Sequence, residues 1–231
     1  PETMAVIAQH AISHNPPIDS VEDIEAILVA VKPQMVDEVL PAMAGLARDK
    51  PLVVSVVAGK PIAAFRQHFG AATPVIRTIP NTPAAVGRGI TAMAASDGVS
   101  ARQSDLAMAL LASLGEVVTV ADETLIDACT AISGSGPAYI FYMTECMTEA
   151  AVELGLPADV AEQLARATVA GAGELMRATG TPAGTLRENV TSPKGTTYAA
   201  LQVLMADADG MKQLMMRATA AAERRSRELA G

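Results

Sequence analysis

The 231-residue chain is 50% hydrophobic and 3% aromatic, and its 17 basic against 25 acidic residues give a formal charge of −8. An acidic balance without a basic stripe interleaved with aromatics argues against a nucleic-acid surface. No apolar run approaches the roughly 18 residues of a bilayer span, and no signal segment opens the chain, so no membrane partner is expected.

Two cysteines, Cys129 and Cys146, are too few for a disulfide framework and form no C-x-x-C or His/Cys zinc pattern; no metal is expected, and a reducing cytoplasm fits best. His10, His14 and His68 stand among polar residues and read as surface or loop histidines. Arg224, Arg225 and Arg227 bunch in the last turns of an Ala-rich helix, where cations complement the macrodipole.

The chain opens on Pro1 rather than an initiator Met, and a longer natural protein is expected upstream. Residues 26–31 form an apolar run of strand length. Pro33 then opens a helix on which Val36, Val39, Leu40, Met43 and Leu46 recur at helical spacing. Residues 52–57 read as a second buried strand, 61–69 as a helix stopped by Gly70, and 75–79 as a third strand. A fourth strand is predicted at 90–94, a helix at 101–113 with Leu106, Leu110 and Leu111 on one side, and a fifth strand at 116–120. Continuous β-branched runs alternating with helices predict a mainly parallel sheet covered on both faces.

After Ala121 the strand patterns stop. Residues 122–154 read as helical with a glycine-rich interruption at 134–137, and Ile140, Met143, Met147, Ala150 and Leu154 recur at heptad-like spacing. Pro157 starts a helix carrying Val160, Leu164, Gly171 and Leu175 toward Arg177, with Gly180 as its stop. A short helix follows Pro182, and 196–229 supplies one or two more. The chain thus divides into an α/β part at 1–121 and an all-α part at 122–231. Helices rich in Ala, Gly and Met with few aromatics make a thin core for a lone bundle, so a second subunit is expected to complete it.

Five segments carry candidate chemistry. Ala30, Val31, Lys32 and Pro33 close the first strand, and Val56, Val57, Ala58 and Gly59 close the second. Each reads either as a strand running into the next element or as one edge of a nucleotide crevice at strand carboxyl ends. Residues 80–83 (PNTP) form either a rigid turn or a loop whose Asn81 offers donor and acceptor to a carboxamide.

The glycines of 133–139 (SGSGPAY) disfavour an uninterrupted helix and admit close approach of a partner helix or a ligand. Residues 192–197 (SPKGTT) feed a helical pattern, as an ordinary capped start or as a nest of amides and hydroxyls for a small carboxylate. No Ser/His/Asp arrangement, paired carboxylate motif or G-x-x-x-x-G-K-[ST] loop occurs, so chemistry carried by a cofactor is favoured over hydrolysis.

Taken in order, 30–34 (AVKPQ), 80–83 (PNTP), 125–139 (LIDACTAISGSGPAY) and 192–197 (SPKGTT) resemble pyrroline-5-carboxylate reductase across almost the whole chain. The resemblance implies a Rossmann-like NAD(P)-binding domain at 1–121, then an all-α dimerisation and substrate-binding domain at 122–231. The implied reaction is reduction of 1-pyrroline-5-carboxylate to L-proline by NADPH or NADH, the last step of proline biosynthesis. It takes place in a cytoplasmic homodimer or a higher homo-oligomer of dimers.

By the family pattern, Ala30, Val31, Lys32, Pro33, Val56, Val57 and Ala58 line the cofactor crevice, joined by Asn189 and, at the nicotinamide end, Asn81. Ser192, Gly195 and Thr196 hold the substrate carboxylate, Thr197 is the catalytic residue hydrogen-bonded to the ring nitrogen, and Glu123 matches an acidic position near the substrate.

Two departures stand out. Lys194 occupies a position where the family most often has a second Gly, so the loop is not expected to rely on a positive φ there. The G-x-G-x-x-G fingerprint does not occur in the chain. A first strand-turn-helix and a second strand, roughly 30 residues or more, would therefore precede Pro1, carrying the loop that sets NAD against NADP preference.

Two other readings remain open. One is another NAD(P)-dependent imine or hydroxyacid reductase, expected to place an acid/base lysine among its helices, where only Lys194 and Lys212 are available. The other is a non-catalytic dimeric binding protein that kept the anion nest.

Overall fold

The computed structural model describes residues 2–18, 21–48 and 50–230, which form two compact units: Pro1–Cys129 with Ser226–Gly231, and Thr130–Arg225. The first unit holds a five-stranded sheet in the order β1 (Ala26–Val29), β2 (Leu52–Ser55), β3 (Val75–Ile79), β4 (Gly89–Ala95) and β5 (Gly115–Thr119). Its helices are α1 (Glu2–Gln9), α2 (Val36–Met43), α3 (Ile62–Phe69), α4 (Ala101–Ala112) and α5 (Leu125–Cys129).

Each strand falls within two residues of its predicted span. Pro33 opens a 3-10 turn, Pro33–Met35, before α2 begins at Val36.

The sheet is not parallel throughout. β1, β2 and β3 run parallel and β4 pairs parallel with β5, but β3 and β4 are antiparallel. Only residues 80–88 join β3 to β4, and they hold the 3-10 helix Thr82–Val86. A parallel crossover needs a dozen or more residues, so this link can only turn the chain back.

Side-chain alternation splits the core between the two faces of the sheet. Val53 and Val75 pack with Val36, Leu40, Phe65 and Phe69 of α2 and α3 on one side. Leu52, Val54, Ile76 and Met93 pack with Ala107 and Leu111 of α4 on the other. The predicted face of α4 shifts accordingly: Leu111 is buried beside Ala107, one helical turn away, while Leu110 is 46% exposed. Ser100 caps α4 in a reciprocal capping box with Gln103.

The second unit is helical. A π-helical turn, Thr130–Gly134, leads into α6 (Gly136–Glu153), followed by α7 (Ala158–Thr179), α8 (Ala183–Asn189), α9 (Thr196–Leu204) and α10 (Met211–Ala230), the last of which runs on into the first unit. The interruption predicted at 134–137 is thus a widened turn just upstream, tied by the Tyr139 hydroxyl donating to the Ala131 carbonyl at 3.0 Å.

Among the described residues of this unit, the buried hydrophobic side chains are Ala131, Ala161 and Ala165. Phe141, Tyr142, Leu154 and Val203 are 61%, 67%, 86% and 73% exposed. α6 packs on α7, leaving an open groove of about 930 Å³ lined by Ile140, Phe141, Thr148, Arg166, Val169 and Ala170.

Candidate functional site

Because β1, β2 and β3 are parallel, their carboxyl ends share one edge of the sheet, and the loops at 30–33, 56–61 and 80–83 all leave from it. After β1, Ala30 is exposed, Val31 packs partly against the core, and Lys32 is extended before Pro33 starts the 3-10 turn.

After β2 the loop is stitched down at its start: Val56 N–H donates to the Val29 carbonyl at 3.1 Å and Val57 N–H to Ser55 Oγ at 3.1 Å. Among the described residues, the amides of Ala58 and Gly59 take no partner within the chain, which leaves two donors for a ligand. Gly59 has φ +71°, and a Cβ there would sit 3.3 Å from Leu229, a close approach that suits glycine alone.

Asn81 precedes the Thr82–Val86 turn, and its Oδ1 accepts from Ile90 N–H at 2.9 Å. The acceptor that the sequence offered to a carboxamide thus holds the turn into β4. Below the 56–61 loop, Asp37 takes Lys60 Nζ at 3.0 Å and stands 3.2 Å from His68 Nε2; the Lys60 bond, then that of His68, holds the Asp37 carboxyl below its ordinary pKa.

Glu123 lies just before α5, beside Asp122, whose carboxyl is held low by the amide of Thr124 at 2.7 Å. Glu123 Oε1 accepts two bonds, from Ile62 N–H at 2.7 Å and from Arg77 Nη1 at 3.1 Å. Arg77 sits in the middle of β3, only 4% exposed, and its Nη2 reaches Asp127 Oδ1 at 3.4 Å. Ser226 Oγ donates to that same Asp127 oxygen at 2.7 Å. Sequence reasoning missed Arg77 and Asp127. The signal was present, because a charged residue inside the run VIRTI cannot be buried without a counter-charge.

In the helical unit, Asn189 ends α8 and the SPKGTT segment turns the chain into α9. Gly195 N–H donates to the Ser192 carbonyl at 3.0 Å, and a Cβ on Gly195 would collide with Ser192 Oγ. Thr196 and Thr197 are the first residues of α9, where no side chain caps the helix; Thr197 is half-buried, Ser192 and Thr196 exposed. The first-turn amides and two hydroxyls therefore gather at one helix N-terminus, an arrangement suited to a carboxylate.

Contrary to expectation, Lys194 does adopt a left-handed φ of +59°. Pro193 and Lys194 are the central residues of the turn closed by Ser192 and Gly195, and a positive φ at the second central position is what such a turn demands. Lys194→Gly is therefore expected to raise stability by about 1 kcal/mol. A urea unfolding midpoint no higher than that of wild type would contradict the strain.

A Cβ on Gly136 would meet nothing within 4 Å, so among the described residues none makes the close approach expected at that position. The first unit thus gathers Ala30, Val31, Lys32, Pro33, Val56, Val57, Ala58 and Asn81, with Glu123 bonded to α3. The second holds Asn189 at the end of α8 and Ser192, Gly195, Thr196 and Thr197 at the start of α9.

The pyrroline-5-carboxylate reductase dimerisation family matches residues 123–229. A pyrroline-5-carboxylate reductase of Synechocystis sp. is 43% identical over 205 residues, spanning 89% of this chain and 75% of that protein. Among solved structures, a pyrroline-5-carboxylate reductase from Coxiella burnetii matches at a TM-score of 0.91 and 32% identity, covering 100% of this chain and 86% of that one. The Plasmodium falciparum pyrroline carboxylate reductase, solved with NADP bound, matches at a TM-score of 0.79 and 26% identity over 94% of this chain and 82% of its own. With the shared carboxyl edge of three parallel strands and the SPKGTT turn both in place, and identity of this level across three quarters of a named enzyme, the chain belongs to the pyrroline-5-carboxylate reductase family.

Proposed function

We propose that this chain catalyses the NAD(P)H-dependent reduction of 1-pyrroline-5-carboxylate to L-proline, the last step of proline biosynthesis, with 1–121 serving the dinucleotide and 122–231 serving substrate and dimerisation. The observation that carries this reading is the 43% identity over 89% of the chain to a reductase of that name. The two unpartnered amides at Ala58 and Gly59, on the shared carboxyl edge of parallel strands, suit an anionic dinucleotide.

Ala30, Val31, Lys32 and Pro33 serve the cofactor from the end of β1 and Val56, Val57 and Ala58 from the end of β2, and by the family pattern Asn81 and Asn189 serve it too. When bound, NAD(P)H supplies the hydride. Ser192, Gly195 and Thr196 hold the substrate carboxylate with hydroxyls and first-turn amides, and by the family pattern Glu123 serves the substrate side. The Thr197 hydroxyl accepts from the protonated ring nitrogen and fixes the orientation of the C=N carbon. A protonated imine is already electrophilic, so orientation contributes more than acid catalysis.

The test is loss of reduced-nicotinamide absorbance by purified full-length protein given 1-pyrroline-5-carboxylate and each cofactor in turn. Turnover with proline as product supports the reading, and none with either cofactor refutes it. Thr197→Ala is expected to lower kcat/KM on the order of tenfold to a hundredfold, the scale of one lost polar contact. Unchanged kinetics would remove Thr197 from the site.

The same proposal makes the working form a homodimer, or an assembly of dimers, in the cytoplasm. A helical unit that buries only alanines by itself, with Phe141, Tyr142 and Leu154 open, gains its core from a second copy. Light scattering at micromolar concentration is expected to give at least twice the chain mass; a monomer would overturn this part.

A further inference from the structure

The first amide of α3 has no cap in its own segment, because the N-cap residue is Pro61. Its partner is Glu123 Oε1, 61 residues further along the chain. That oxygen also takes Arg77 Nη1, while the other arm of the guanidinium is held by Asp127 and, behind it, Ser226. The fork of Arg77 therefore fixes where the Glu123 carboxylate stands, and Glu123 fixes where α3 begins.

Immediately before α3 lies the loop with the two unpartnered amides. Its other end hangs from Ser55, which pairs with Arg77 across the β2–β3 ladder, caps Val57 N–H with its Oγ, and takes Thr78 Oγ1 on its carbonyl at 2.8 Å. Both ends of the loop are thus set from β3, and Arg77 stands at the junction.

We propose that Arg77 is a positioning residue for the dinucleotide, acting through Glu123 on the start of α3 and the 56–61 loop. This rests on the reductase reading above and deepens it, because it ties Glu123 Oε1 to the geometry of the cofactor loop in addition to the substrate side. Asp127 and Ser226 serve by keeping the guanidinium from swinging away. A neutral or unforked side chain at 77 leaves Glu123 free to turn and lets the loop amides drift from the positions a dinucleotide needs.

The experiment measures NADPH dissociation constants by nicotinamide fluorescence for full-length wild type, Glu123→Gln and Arg77→Lys. Thermal unfolding of each protein and KM for both substrates accompany it. Gln keeps an acceptor for Ile62 N–H but loses the ion pair; Lys keeps the charge but loses the fork. Both variants are expected to raise the NADPH Kd by about tenfold, the scale of one charge-assisted hydrogen bond. For Arg77→Lys, kcat at saturating NADPH and KM for the imine acid are expected to stay within about twofold of wild type.

Unchanged NADPH Kd in folded variants overturns the proposal. So does an effect of both variants confined to the KM of the imine acid, which would leave the cofactor loop indifferent to this cluster. Should Arg77→Lys fail to fold, Glu123→Gln alone decides. Wild type that binds neither NADPH nor NADH would refute the reductase reading itself, a failure separable from one seen only in the variants; if wild type binds NADH alone, NADH replaces NADPH throughout.

Discussion

Arg77→Met is expected to lower the unfolding free energy by about 3–5 kcal/mol, the loss that follows when one member of a buried ion pair is removed and its partners stay charged. The side chain is 4% exposed and lies between two carboxylates, Glu123 and Asp127, that have no other cation within bonding distance among the described residues. Met replaces most of the aliphatic volume of Arg, so the loss is electrostatic and not a cavity effect. Urea unfolding followed by circular dichroism measures it. Adding Asp127→Asn to the same chain is expected to return part of the loss, since it removes one of the stranded charges and keeps an acceptor for Ser226. A single variant within about 0.5 kcal/mol of wild type would mean that solvent reaches this cluster and compensates it.

Gly115→Ala is expected to be comparably severe. Gly115 opens β5 at φ +136°, opposite Gly89 at the head of β4. A Cβ there would land on the Gly89 carbonyl oxygen, with Gly89 N 2.7 Å away. The obstruction is backbone on both sides and cannot rotate aside. Steric strain of about 1–2 kcal/mol for the φ and about 1–3 kcal/mol for overpacking together predict a loss of about 2–5 kcal/mol.

Gly155→Ala is the control, because Gly155 also has positive φ, +94°, but its Cβ would meet nothing within 4 Å. It isolates the backbone contribution. If the two variants unfold at the same urea concentration, the close β4–β5 approach is not what makes Gly115 necessary.

What the sequence made legible was whatever depends on neighbours in the chain. The run VIRTI, the Gly70 and Gly180 stops and the Pro182 start are local signals, and each appears where periodicity and punctuation put it. The antiparallel β3–β4 pair was legible in principle, because nine residues cannot hold a crossover, but the apolar strand pattern is the same for both directions. The outward-facing Leu110 shows how a Leu-rich helix hides its buried seam: Ala107, the smaller residue, lies at the sheet.

The candidate site divides along the same line. The SPKGTT turn and the strand-end loops were readable as anion-binding shapes, while the family resemblance supplied the substrate. The Arg77 cluster was not readable, because its bonds join residues 46, 50 and 99 positions apart. Lys194 adds a further lesson: the turn kept its left-handed geometry when glycine was absent, so a missing glycine does not prove a missing shape.

The return of α10 to the first unit sets an order of events during synthesis. Ser226 closes on Asp127 and Leu229 lies over Gly59, yet both are translated only after the whole helical unit has been made. As the chain leaves the ribosome, the sheet can collapse early, but Asp127 waits for its hydroxyl and Gly59 for Leu229 until the helical unit has been made. During that interval the nascent sheet exposes the surface around the 56–61 loop. The first unit is therefore begun before the helical unit and completed only after it.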